Sequence, residues 1–190
     1  MYAHTSLSRY NGRMNQVRIN AGAWRSRLLK FPDAEGLRPT PDRVRQTLFN
    51  WLGQEMTGKT CLDLFAGTGA LGFEAASRNA KSVTFVEFSA SAYKALQQNK
   101  GLLNADNCQL LNQDALQFLS HNSVKYDVIF CDPPYHKNWL DKLFPSLNQH
   151  LEKNGMVYVE AEFALADNAN WQVIKSGKAG AVYYHLLQPL

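Results

Sequence analysis

The chain has 190 residues, of which 45% are hydrophobic and 19% are charged, and its formal net charge is +4. A single domain of this length buries roughly 70% of the surface that its unfolded chain exposes, so it can hold a core without a metal or a disulfide bridge. No apolar stretch approaches the roughly 18 residues of a membrane-spanning helix, and the polar start, with Arg9 and Arg13, lacks the apolar segment of a secretory signal. We therefore expect a cytoplasmic protein, with a monomer as the default state.

The three cysteines, Cys61, Cys108 and Cys131, are widely spaced, and each adjoins an apolar segment. Zinc and redox sites commonly use closely spaced pairs, which this chain lacks. The pattern predicts reduced thiols buried in strands, and no metal site.

Basic residues are concentrated at the start of the chain. Residues 1–50 hold nine basic groups against three acidic ones, and eight of the nine are Arg, whereas the remainder holds a single Arg, Arg78. The planar guanidinium suits phosphate oxygens and bases, so this segment is typical of nucleic-acid contact. A solvated tail is the alternative, but interleaved Trp24 and Phe31 favour an ordered hairpin. The candidate phosphate contacts are Arg25, Arg27, Arg38, Arg43 and Arg45.

The first predicted elements are two short strands and a helix. Residues 17–20 and 26–31 read as strands joined at Ala21 and Gly22. A helix follows, with Thr40 as its N-cap and Pro41 at its first position, and its apolar spacing continues to about Met56. These elements form a predicted basic extension over residues 1–56.

From residue 59 onward, short apolar runs alternate with helical patterns, which predicts a doubly wound, parallel α/β sheet. Residues 171–175 and 181–187 then read as a terminal β-hairpin. Residues 57–190 are therefore predicted to form one domain with a mostly parallel, seven-stranded sheet. The predicted parallel strands cover 61–65, 82–87, 109–112, 126–131 and 156–160, and the predicted helices cover 70–78, 89–103, 115–121 and 138–151.

The loop after the first of these strands is rich in glycine. Gly67, Gly69 and Gly72 satisfy G-x-G-x-x-G, and Glu87 closes the next strand, where an acidic side chain can accept hydrogen bonds from ribose hydroxyls. A tight strand-to-helix turn would also use these glycines. Together with Glu87, however, they favour a nucleotide-like cofactor.

Two cofactors fit this loop, a nicotinamide dinucleotide and S-adenosylmethionine. Asp63 lies just before the glycines, where it would oppose a pyrophosphate but suit the cationic groups of S-adenosylmethionine. Asp114 closes the third strand, and it can accept from an adenine amino group, cap the following helix, or do both.

The strongest motif follows the fourth strand, where Asp132, Pro133, Pro134 and Tyr135 come directly after apolar residues. Two prolines make a rigid bend and leave nearby carbonyls free to accept. If the Asp132 carboxylate and the Pro133 carbonyl accept both N–H bonds of a nucleobase amine, its lone pair can point at a methyl donor. Stacking on Tyr135 would offset part of the cost of flipping the base.

These motifs together resemble the bacterial family of 16S ribosomal RNA guanine-N2 methyltransferases whose name cites guanine 966. The resemblance extends from Val17 to Gln188. It rests on residues 63–72 (DLFAGTGALG), on the DPPY motif and above all on residues 37–52 (LRPTPDRVRQTLFNWL). It implies a Rossmann-like, S-adenosylmethionine-dependent methyltransferase that acts on the small (30S) ribosomal subunit, with no DNA substrate.

By motif position, the resemblance also implies roles for particular residues. For the cofactor these are Asp63, Phe65, Gly67, Gly69, Glu87 and Asp114, and for the target amine they are Asp132, Pro133, Pro134 and Tyr135. Ala21-Gly22 and Arg25-Ser26-Arg27 stand where the family more usually has Gly-Gly and Arg-Gly-Arg, and Gln46 replaces a common Glu.

Other functions remain open at this stage. An enzyme that methylates adenine N6 in DNA or RNA would use the same aspartate motif, although the chain has no room for a separate DNA-specificity domain. A nicotinamide-dependent oxidoreductase would explain the glycines and Glu87 but not Asp63 or DPPY. A non-enzymatic RNA-binding module would explain only the basic extension.

Overall fold

The structure is a computed structural model that describes residues 14–135 and 138–190. Arg9 and Arg13 of the predicted basic segment therefore lie outside the described residues. No helix in the described ranges is long and apolar enough to cross a membrane.

The chain begins with the predicted hairpin. Strand β1 (Met14–Arg18) pairs antiparallel with β2 (Leu28–Pro32), and both strands lie outside the main sheet. The connection between them is longer than predicted because the backbone at 19–27 turns to contact the helix at Ala70–Ser77. Val17, Leu29 and Phe31 point into the core, which explains why this short hairpin is ordered.

Helix α1 (Asp42–Leu52) follows, and both of its ends differ from the prediction. Thr40 is not its N-cap: Pro41 occupies the cap position without a side-chain cap bond, and the Thr40 hydroxyl instead donates to Glu160, 120 positions further along the chain. The helix ends before Met56 because Gly53, with a φ of 98°, adopts the left-handed conformation that terminates helices.

The remaining elements build the predicted seven-stranded sheet, with strand order β5-β4-β3-β6-β7-β9-β8. The first five strands of this order are parallel, and β9 pairs antiparallel with both β7 and β8. The α/β fold and the terminal hairpin are thus confirmed. The bounds are β3 (Thr60–Asp63), α2 (Ala70–Ser77), β4 (Ser82–Val86), α3 (Ala90–Leu103), β5 (Cys108–Leu111), α4 (Ala115–His121), β6 (Tyr126–Cys131), α5 (Trp139–Leu147), β7 (Leu151–Ala161), β8 (Trp171–Ala179) and β9 (Val182–Pro189).

Strand β7 is longer than predicted and α5 is shorter. A 3-10 turn (Asn148–His150) closes α5, and β7 starts at Leu151, which pairs with Tyr126 of β6. The register then shifts between Tyr126 and Val128, so the polar residues at the start of β7 are accommodated by a bulge that the sequence pattern did not predict.

Two apolar layers cover the sheet. One contains buried residues of the hairpin, α1, α2 and α3, and the other contains those of α4 and α5. As predicted, the three cysteines are free and buried, and they lie in β3, β5 and β6. Strand order reverses between β3 and β6, and in such sheets ligands bind beyond the carboxyl ends of the strands at that point.

Candidate active site

The glycine loop joins β3 to α2 and makes a sharp turn. Gly67 and Gly69 have φ values of 51° and 77°, in the left-handed region. A Cβ atom at Gly69 would lie 2.6 Å from the Phe73 ring and 2.7 Å from Leu96, so a larger residue would push α2 away from its neighbours. At Gly67 and Gly69, the loop therefore brings backbone that carries no side chain to the carboxyl edge of the sheet.

Glu87, at the end of β4, holds this loop. Its Oε2 accepts from the Gly67 N–H at 2.7 Å, and its Oε1 accepts from the Ser89 N–H at 2.7 Å. Each carboxylate oxygen can accept a further hydrogen bond. Glu87 is thus fixed beside the loop with acceptor capacity left for the hydroxyls of a ribose.

Asp63, at the end of β3, is buried below the same loop. Its Oδ2 accepts from the Gly72 N–H at 2.9 Å. Burial, followed by the charge of Glu87, raises the pKa of Asp63 to about 7, although the bond from Gly72 opposes the shift. A buried carboxyl group of this kind suits a cationic partner, which is what the amino group of S-adenosylmethionine would supply.

Two further predicted cofactor residues lie along this edge. Asp114 caps α4 through Oδ1, which accepts from the N–H groups of Leu116 and Gln117 at 2.9 and 3.0 Å. The capping interpretation is therefore confirmed, and Oδ2 can still accept from an adenine amino group. Phe65 packs edge-to-face on Trp139, with ring centroids 5.2 Å apart.

Phe88 is a candidate that the sequence analysis did not identify. Its side chain is 77% exposed directly after Glu87, and the Asn112 amide donates to the carbonyls of both residues. An exposed aromatic ring on a segment held in this way can stack on a flat heterocycle. The signal in the sequence was an aromatic residue next to the strand-end acid.

The DPPY motif follows β6, which lies next to β3 in the sheet. Pro133 is buried, whereas Pro134 and Tyr135 are exposed, so the bend carries Tyr135 outward. Burial, together with the charges of Glu160 and Asp63, holds the pKa of Asp132 well above its usual range. The glycine loop and the DPPY motif therefore share one edge of the sheet, as predicted.

Glu160 is an acidic residue of the site that the sequence analysis did not identify. It lies near the end of β7, is 4% exposed and accepts through Oε1 from the hydroxyls of Thr40 and Tyr158, each at 2.8 Å. Burial raises the pKa of Glu160, while these two hydrogen bonds oppose the shift. Its position near the end of the strand after the DPPY motif could have identified it.

Four of the five candidate phosphate contacts are exposed and the fifth, Arg45, is buried. Arg25, Arg27, Arg38 and Arg43 are exposed, and Arg27 donates to the Leu102 carbonyl at 2.9 Å.

The prediction that Arg45 contacts phosphate is wrong, because the side chain is buried. Its side chain has no exposed surface and forms ion pairs with Asp42 and with Glu74, the latter at 3.2 Å, and it donates to the Arg18 carbonyl at 2.8 Å. A buried, paired guanidinium cannot reach phosphate without breaking these contacts.

The relatives of this chain among known proteins include ribosomal RNA methyltransferases. The sequence model of a family described as conserved hypothetical protein 95 matches residues 17–188. A ribosomal RNA small subunit methyltransferase D from Haemophilus influenzae is 43% identical over 181 residues, which cover 91% of this chain and 94% of that protein. The protein of the same name from Escherichia coli is 40% identical over 181 residues, with coverage of 91% and 90%.

Solved structures agree with the fold. A putative methyltransferase from Escherichia coli superposes with a TM-score of 0.82 at 40% identity, covering 92% of this chain and 98% of that one. The sheet described above is therefore the Rossmann-like sheet of methyltransferases.

Proposed function

The chain belongs to the family described as conserved hypothetical protein 95, and from this membership we propose that it transfers a methyl group from S-adenosylmethionine to the exocyclic N2 amine of guanine 966 in 16S ribosomal RNA. Two relatives, each matched by this chain over most of its length, carry names that refer to small-subunit ribosomal RNA. The observation that carries the proposal is the adjacency of the glycine loop after β3 and the DPPY motif after β6.

In this mechanism one group of residues holds the cofactor. S-adenosylmethionine, when bound, supplies an electrophilic methyl group on its sulfonium. Asp63 would accept from the cofactor amino group, Glu87 from the ribose hydroxyls and Asp114 from the adenine amine. Phe65 and the backbone of the glycine loop complete the binding surface.

A second group of residues prepares the amine. The Asp132 carboxylate and the Pro133 carbonyl each accept one N–H bond, which directs the nitrogen lone pair toward the methyl donor. The amine would lose one proton when it gains the methyl group, and Asp132, whose pKa is raised by burial, would take that proton. Pro134 makes the bend rigid, and Tyr135 stacks on the flipped base.

We also propose a division of labour along the chain. Residues 1–56 form an extension in which the exposed Arg25, Arg27, Arg38 and Arg43 contact ribosomal RNA, and residues 57–190 form the methyltransferase domain. The substrate in this proposal is the small ribosomal subunit rather than DNA, and the enzyme acts as a monomer.

The test is methyl transfer from labelled S-adenosylmethionine to undermethylated small subunits, with protein-free ribosomal RNA and DNA in parallel, followed by nucleoside analysis. We expect N2-methylguanosine, formed chiefly in subunits. Label in N6-methyladenine would instead support the alternative adenine-N6 activity, and an absence of label in every RNA would contradict the proposal.

Asp132→Ala tests the catalytic role directly. We expect turnover to fall by about 10²- to 10⁴-fold because the amine loses its acceptor, while S-adenosylmethionine still binds. Single-turnover kinetics and calorimetry measure the two effects. Asp106→Ala, at an exposed site outside this edge, is the matched control and should keep wild-type turnover. Substantial residual turnover in Asp132→Ala would remove this residue from the mechanism.

A further inference from the structure

Asp132 and Glu160 follow equivalent positions of two neighbouring parallel strands. The register pairs Phe130 with Tyr158 and Cys131 with Val159, so its continuation brings position 132 beside position 160. Successive side chains alternate between the two faces of a sheet. Asp132 and Glu160 therefore lie on the face that also carries Phe130 and Tyr158, and the influence of Glu160 on Asp132 agrees with their proximity.

Glu160 is held in one orientation. Both of its described hydroxyl partners, Thr40 and Tyr158, donate to the same oxygen, Oε1. Because both hydroxyls donate to Oε1, Oε2 is the oxygen left to accept from a ligand, and it belongs to a side chain that is buried. A buried acceptor of this kind contributes most when a ligand brings a matching donor, and it penalises a ligand that does not.

The identity of the target base determines whether it brings a hydrogen-bond donor to Oε2 of Glu160. On guanine, the N1–H lies directly beside the N2 amine, so this edge presents neighbouring donors. On adenine, the amine is flanked by N1, which is an acceptor. Two neighbouring carboxylates match the first pattern and oppose the second.

We propose that Glu160 is a specificity-determining residue that accepts the N1–H of the target guanine while Asp132 accepts from its N2 amine. This inference rests on the proposed function and addresses what the DPPY motif leaves open, namely which base is chosen. It also gives the hydroxyls of Thr40 and Tyr158 a positioning role, because they direct Oε2 of Glu160.

A purely structural role for Glu160, as the anchor of Thr40, makes a different prediction. In Glu160→Gln, the amide oxygen can keep both hydroxyl bonds, and the amide N–H₂ then replaces Oε2. That amide would meet guanine N1–H with a donor and would match a base whose N1 is an acceptor. 2-Aminopurine is such a base, because it keeps the C2 amine but has no hydrogen on N1.

The experiment compares small subunits reconstituted from 16S ribosomal RNA with either guanine or 2-aminopurine at the target position. For the wild type, we expect kcat/KM to favour guanine by at least about 10²-fold. In Glu160→Gln, we expect the ratio of the two kcat/KM values to fall at least tenfold. Thr40→Val, which keeps the carboxylate, is the control: its overall rate can change, but its ratio should stay much closer to that of the wild type.

Each outcome bears on the proposal. A wild-type ratio near 1, or an unchanged ratio in Glu160→Gln, overturns the assignment of Glu160 while guanine-N2 methylation still stands. If Glu160→Gln turns over neither substrate, competition binding compares the affinities of the two subunits for the wild type and the variant, and an affinity ratio that is the same for both proteins overturns the assignment. Methylation of adenine by the wild type overturns the proposed function and the assignment together.

Discussion

Asp63 illustrates how a single buried carboxyl group can oppose stability and serve binding. Its pKa is raised to about 7, well above that of an exposed aspartate, so the folded protein binds its proton more tightly than the unfolded chain does. Its contribution to the free energy of unfolding is therefore full below about pH 4 and is lost as the pH rises through about 7. At pH 8 the ionised Asp63 destabilises the folded protein unless a cationic group is bound beside it.

We expect Asp63→Asn to be more stable than the wild type at pH 8, on the order of 2 kcal/mol, because the amide can still accept from Gly72 without burying a charge. The gain should shrink toward pH 5. Affinity for S-adenosylmethionine should fall at least about tenfold with the loss of the ionic partner. Denaturant unfolding at both pH values and calorimetry measure these effects, with exposed Asp106→Asn as the control. A variant less stable than the wild type at pH 8 would contradict this account.

At the scale of elements, the N-terminal hairpin is attached to α2 by polar contacts as well as by apolar packing. The backbone N–H groups of Asn20 and Ala21 donate to Glu74 at 2.8 and 3.0 Å, and Ala23 N–H donates to the Ser77 carbonyl at 2.7 Å. Gly22 makes this approach feasible, since a Cβ there would lie 1.8 Å from the Ser77 oxygen.

Gly22→Ala should therefore destabilise the protein far more than Gly36→Ala. Both glycines have positive φ values, 82° and 77°, so both variants carry similar backbone strain, but only Gly22 meets backbone atoms of α2. We expect roughly 1 kcal/mol for Gly36→Ala and at least about 3 kcal/mol for Gly22→Ala. Denaturant unfolding measures both changes in the free energy of unfolding. Equal losses of stability for the two variants would show that the close approach of Gly22 to α2 is unimportant.

Two of the three departures from the usual family residues, those in the hairpin connection, have different structural meanings. At Ala21-Gly22, the glycine that contacts α2 is retained, and the backbone of Ala21 does not adopt a positive φ that would favour glycine. In Arg25-Ser26-Arg27, however, Ser26 has a φ of 70°, a conformation that glycine adopts without strain.

At the scale of the whole molecule, the extension crosses the edge where the site lies. A Cβ built on Gly67 would lie 3.2 Å from Leu37, while Thr40 bonds to Glu160. The exposed Arg38 lies between these two anchored residues. The segment that we propose for RNA contact is therefore continuous with the wall of the cofactor site.

Neutralising Arg25, Arg38 and Arg43 together should weaken subunit binding and flatten its dependence on salt. Each lost phosphate contact lowers the magnitude of the log–log salt slope by about 0.7 to 0.9, so three contacts predict a change of about 2 to 3. Affinity for S-adenosylmethionine should be unchanged. Binding titrations across a range of salt concentrations test this.

The matched control for this triple variant neutralises Lys81, Lys125 and Lys153. These residues are exposed, and they precede or begin strands at the amino edge, opposite the site. An equal change in slope for both triple variants would indicate a nonspecific effect of net charge.

The sequence by itself determined the alternation of strands and helices, the glycine turn, the cap at Asp114 and the DPPY bend. These features depend on neighbouring residues, because side-chain periodicity, positive φ and proline geometry act over a few positions. The tertiary structure decided the burial of Arg45, the partner of Thr40 and the place of Glu160 beside Asp132. Each of these depends on partners from separate elements, and a local pattern cannot tell an exposed arginine from one that a distant glutamate pairs in the core.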